Sequence, residues 1–98
     1  MESNNKLIAE FMGMTYYIPN DDSLMVEKAP IGVFITPTKS LKYHTSWDWL
    51  MPVIEKIQDK YVENPELDYQ YIDEIRLALP NIQEVYYLVV EFIKDQNN

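Results

Sequence analysis

The chain has 98 residues, 47% of them hydrophobic, with sixteen acidic and eight basic side chains and a net charge of −8. That length predicts one domain over residues 1–98, and the apolar content excludes a disordered acidic tail. With no cysteine there is no disulfide, and no apolar run nears the roughly 20 residues of a membrane span.

The charge is uneven. From Glu63 to Asp95 eight acids stand against two bases, a net of −6. Such a field repels a phosphate backbone, which argues against direct DNA or RNA binding and favours a basic partner. The start MESNNKLIAEF lacks the basic stretch and long apolar core of a signal peptide, so the expected compartment is the cytoplasm.

In chain order, Asn4 or Asn5 is placed to cap a first helix in which Leu7, Ile8, Phe11 and Met12 share a face, and Gly13 supplies the stop. The period then changes. Met14, Tyr16 and Ile18 alternate as one side of a strand, and so do Ile31, Val33 and Ile35. Between them PNDDS is a turn cluster, LMVE is a further short strand and Lys28-Ala29-Pro30 is a second break, giving a two- or three-stranded antiparallel meander.

Thr45 is the expected N-cap of a second helix, with Asp48 three residues on near the positive end of its dipole. Pro52 lacks the N–H that would bond the Asp48 carbonyl, so the helix either kinks there or restarts at Pro52. At about 100° per residue, Leu50, Val53, Ile54, Ile57 and Tyr61 form one stripe, with Trp47 and Trp49 at its margins and Asp48, Glu55 and Asp59 opposite. Leu67 to Leu79 carries both periods. It reads as a short helix after Asp73 with an edge strand at Tyr69 to Ile72. Asn81 and Glu84 then form a capping pair for a last helix whose apolar residues cover about 200° of the wheel. An arc that wide predicts either a place between the sheet and another helix or a second subunit meeting Tyr86 and Val90.

Three words, NKLIAEFMG, KYHTSWDWLMPVIEKI and YYLVVEFIK, together resemble small uncharacterised proteins common in phages and prophages of gut bacteria, and more distantly the phage ABA-sandwich domain group. The resemblance implies helices covering a small sheet and a phage context. It implies no catalytic or ligand residues.

The residues themselves offer little chemistry. A closed zinc site would need three carboxylates beside His44, an uncommon set, and Asn20-Asp21-Asp22 lacks the rest of a calcium loop, so neither metal nor cofactor is expected. His44-Thr45-Ser46 has the residue types of a nucleophile and base, but capping explains the hydroxyls better. Asp48, Glu55 and Asp59 share a helix face turned to water, where nothing raises a pKa. Gly13 and Gly32 are isolated, so no phosphate loop exists.

Eight tyrosines, paired at Tyr16-Tyr17 and Tyr86-Tyr87, are the better clue, because neighbouring rings on one element diverge and one of each pair should be exposed or at an interface. The expectation is therefore an α+β domain of about three helices on a small, mostly antiparallel sheet of two to three strands, with Trp47, Trp49, Ile57, Val89 and Phe92 in its core. Its expected role is non-catalytic binding of a host or phage protein through Tyr69, Tyr71, Asp73, Glu74, Tyr86, Tyr87, Val90 and Glu91. A sharper form is an acidic decoy for a host nucleic-acid-handling protein. The alternatives are a structural homo-oligomer, such as a homodimer through the last helix, and an accessory subunit of an enzyme.

Overall fold

The computed structural model describes residues 2–29, 32–64 and 70–96. It is a small α+β fold, as expected, with a three-stranded antiparallel sheet and four α-helices among the described residues. The residues group into two compact units, Met1–Leu41 and Lys42–Asn98.

In the first unit, α1 (Glu2–Phe11) begins earlier than expected, so Asn4 and Asn5 lie inside the helix and not at its N-cap position. Asn5 has a different use. Its buried side chain donates to the Leu41 carbonyl at 3.2 Å, a long-range bond that no local capping rule could anticipate. The end of α1 is as predicted: Gly13 has φ +95°, its N–H bonds the Glu10 carbonyl at 3.0 Å, and the Met14 N–H reaches the Ala9 carbonyl at 3.0 Å. These are the paired bonds of a Schellman motif, which needs a left-handed residue at Gly13, and Met14 and Ala9 are both buried beside it.

Strands β1 (Thr15–Ile18), β2 (Asp21–Ala29) and β3 (Gly32–Pro37) follow in that spatial order. The β1–β2 corner is Pro19-Asn20, with proline at the first position and Asn20 at φ 68°, the residue combination of a type II turn. Met25 and Val26 are both buried; as neighbours on a strand they face opposite sides, so β2 is covered on both faces at that level. The edge strands are not. Met14 enters the core, but Tyr16, Ile18, Val33 and Ile35 remain exposed, contrary to the buried side that their alternation suggests. Alternation identifies a strand, whereas burial also requires something to lie across it. A 3-10 turn at Thr38–Ser40 follows β3; its buried Thr38 hydroxyl donates to the Asp22 carbonyl. Lys6 of α1 pairs with the Asp22 carboxylate, and the Tyr16 hydroxyl donates to Glu10, which ties α1 to the hairpin.

In the second unit, α2 (Trp47–Glu63) runs without interruption through Pro52, so there is no restart. Its N-cap is Ser46, not Thr45, and no side chain supplies the cap bond. The stripe Leu50, Val53, Ile54, Ile57 and Tyr61 is buried as the spacing predicts. Trp47 and Trp49 are only partly buried and do not join the core, because they sit at the stripe's margins. The Trp49 ring stands perpendicular to that of Tyr43, with centroids 5.3 Å apart.

Helix α3 (Gln70–Ala78) begins before Asp73, and residues 70–72 are its first turn and not an edge strand. Burial of Ile72, Ile75 and Ala78 at three-residue spacing explains why the helical period wins. Helix α4 (Ile82–Gln96) starts as predicted, with Asn81 Oδ1 accepting the Glu84 N–H at 3.2 Å. Phe92 is buried between Tyr61 of α2 and Tyr71 of α3, at centroid separations of 5.8 and 5.9 Å. Two neighbouring helices thus account for the wide apolar arc of α4.

Candidate functional site

Among the residues predicted to form a binding face in the second unit, Tyr71, Glu74 and Glu91 lie near one another, since both carboxylates act on the Tyr71 phenol. Tyr69 lies outside the described residues. Tyr86 and Val90 are buried, which corrects their assignment to an exposed margin: they belong to the packed side of α4. The Tyr86 ring meets that of His44 at 6.0 Å, and burial pushes its phenol pKa up. Tyr71 is partly buried against Phe92 and donates its hydroxyl to Asp95, a bond that holds its pKa up at about 12. Asp73 is exposed and 3.8 Å from Arg76, while Glu74 and Glu91 are partly buried. Tyr87 alone of the apolar members stands well out, at 61% exposure. The diverging Tyr86-Tyr87 pair therefore behaves as its spacing predicts, one ring inside and one outside.

Asp48, Glu55 and Asp59 are exposed along α2, where a groove of about 390 Å³ is lined by helix residues that include Lys56 and Lys60 as well as Glu55 and Asp59. The Asp21 carboxylate accepts the Ser23 N–H at 3.0 Å, and hydrogen bonding from Ser23 holds its pKa below the usual carboxylate range. Asp22 is paired with Lys6. Among the described residues, no three His, Asp or Glu side chains gather to hold a metal ion, and no helix is long and apolar enough to cross a membrane.

The feature that sequence reasoning missed is the apolar exposure of the sheet's two borders. Tyr16, Tyr17 and Ile18 on β1 and Val33, Phe34 and Ile35 on β3 are six consecutive-type apolar positions, all between 38% and 59% exposed. Single exposed apolar side chains are ordinary, but three in succession on each border of one sheet are not. The two borders differ. β1 has four residues, its pairing with β2 is irregular between Tyr16 and Ile18, and Tyr16 is bonded to Glu10. β3 pairs with β2 in unbroken register over six positions, from Leu24 opposite Pro37 to Ala29 opposite Gly32. No described strand occupies its other side. Unpaired backbone groups flanked by apolar side chains are what an incoming strand requires. The signal was present in GVFITP, an uncharged run of high strand propensity, but its place at the border of the sheet depends on the order of all three strands. Compared with protein-family models, curated proteins and solved structures, the chain matches none.

Proposed function

We propose that this chain is a non-catalytic protein-binding module that engages its partner through the apolar border of its sheet. The observation that carries this reading is the run Val33, Phe34 and Ile35, exposed on a regular, uncharged strand with no described strand on one side. Strand addition supplies affinity through main-chain bonds and selectivity through alternate side chains. The resemblance of the three sequence words to phage and prophage proteins supports a role in the cytoplasm of a bacterial host, with a host or phage protein as partner.

A photo-crosslinking amino acid at Val33, compared with one at the exposed Glu55 of α2, tests the reading in host lysate. Adducts with protein at Val33 and not at Glu55 are expected. Equal labelling at both positions, or none at either, rules out the sheet border as the binding face.

A second reading, an acidic decoy for a host nucleic-acid-handling protein, rests on the net charge of −6 from Glu63 to Asp95 and on the exposure of Asp73, Glu84 and Asp95. A complex of that kind weakens steeply with salt. Salt-independent capture would remove it.

A further inference from the structure

Resting on the protein-binding reading above, we infer that the partner of β3 is β3 of a second copy of this chain, joined antiparallel about a two-fold axis at Phe34. The ladder with β2 fixes which backbone groups are available. Pro37 has no N–H to donate, so its pairing with Leu24 is of the non-hydrogen-bonded kind. Alternation along the strand then makes Thr36 and Phe34 the residues bonded to β2, opposite Met25 and Glu27. The N–H and C=O groups of Val33 and Ile35 therefore point away from β2, toward the open border.

A two-fold axis at Phe34 sets Val33 opposite Ile35 of the second copy and Ile35 opposite its Val33. Each of these pairs exchanges two main-chain hydrogen bonds, and Phe34 meets its own copy in the closely spaced, non-hydrogen-bonded position between them. Residues 32–36 fill this pairing. Pro37, which would waste a donor position, falls just outside it. Aromatic and β-branched cross-strand pairs are among the favourable ones, and all three pairs here are of that kind.

Charge selects a second copy as the occupant. A chain of net charge −8 opposes its own association almost everywhere, yet Gly32–Pro37 contains no charged residue. The nearest described acid on the Phe34 face is Glu27, directly across β2. In the pair, Glu27 and its copy stand about three strand spacings apart, roughly 14 Å, beyond the ~8 Å screening length of physiological salt. An acidic or basic partner strand would gain nothing from this neutral run, whereas two copies meet there without repulsion. The other border is the poorer template, since β1 has only four residues and its pairing with β2 loses register between Tyr16 and Ile18.

The test uses the full chain. Sedimentation velocity over a concentration series should show the mass rising from one chain to two. Ile35→Pro removes an N–H that β2 does not use and should weaken the dimer by about tenfold or more. Phe34→Lys, at a position already 48% exposed, places like charges in the closest pair and should do the same with the fold retained by circular dichroism. Phe34→Cys gives a geometric readout in a chain that has no other cysteine: a Cα separation of about 4.5 Å in a non-hydrogen-bonded pair lies within disulfide range, so mild oxidation should yield a covalent dimer. Tyr17→Cys, on the short and irregularly paired border, should stay uncrosslinked. A monomer at every concentration, or equal crosslinking of the two cysteine variants, overturns the pairing. If monomeric protein still forms adducts with a different protein at Val33, the binding-module reading survives alone; without adducts, both fall.

Discussion

The buried amide of Asn5 donates to the main-chain carbonyl of Leu41, 36 positions further on, and so joins the helix that opens the first unit to the residue that ends it. Both residues are almost fully buried, so neither group can turn to water if the other is removed. Asn5→Ala should therefore cost about 1–3 kcal/mol, the penalty of an orphaned buried acceptor added to the lost bond. Urea unfolding measures it. A loss below about 0.5 kcal/mol, the level of an ordinary surface change, would show that the bond does not hold the unit together.

Tyr16 and Tyr71 are each donors to a carboxylate, Glu10 and Asp95 respectively, and the bond raises each phenol from the ordinary 10.0 to about 12. Only the neutral phenol can donate, so the folded chain retains two protons that the unfolded chain releases. The stabilisation from these bonds is complete below pH 10 and is lost as pH rises through about 12. Titration of phenolate absorbance should show a late-ionising fraction of the eight tyrosines, and Asp95→Asn should move Tyr71 out of it.

Pro52 sits on the exposed side of α2, six residues into the helix, and leaves the Asp48 carbonyl without its helical donor. Pro52→Ala restores that bond and removes the steric conflict of an interior proline, worth up to about 3 kcal/mol. Greater freedom of the unfolded chain offsets about 0.4–1 kcal/mol of it. A net gain of about 1–2 kcal/mol is expected from thermal and urea unfolding, and a net loss would mean that the irregularity is used.

The two expected helix caps should separate cleanly. Asn81→Ala removes the bond to the Glu84 N–H and should cost about 1 kcal/mol. Thr45→Ala should fall within about 0.5 kcal/mol of the parent, since Thr45 is exposed and Ser46 holds the N-cap position. Equal losses from the two substitutions would contradict this placement.

These contrasts show what local pattern can convey. Gly13, the Leu50 to Tyr61 stripe and the Asn81 cap were legible because each is settled by residues within one or two turns. Asn5, by contrast, is spent on Leu41, a partner no local window contains. Residues 70–79 carry both periods, and only the burial of Ile72 and Ile75 decides between them. The candidate site divides in the same way. One exposed ring at Tyr86-Tyr87 follows from spacing, but the burial of Tyr86 and Val90 depends on how many helices share the arc of α4. The openness of Val33 to Ile35 depends on strand order, which alternation alone does not encode.

The irregularity between Tyr16 and Ile18 also bears on how large an assembly can become. A sheet with two regular borders adds copies at both ends and grows without limit, whereas one with a single regular border is finished by its first union. Six strands from two chains would be the end point, with the short, irregularly paired β1 strands at both outer margins. Crowded solutions of this acidic protein should then hold discrete pairs that remain dispersed, and giving the β1 border a register as regular as that of β3 should turn the same chain into a fibre former.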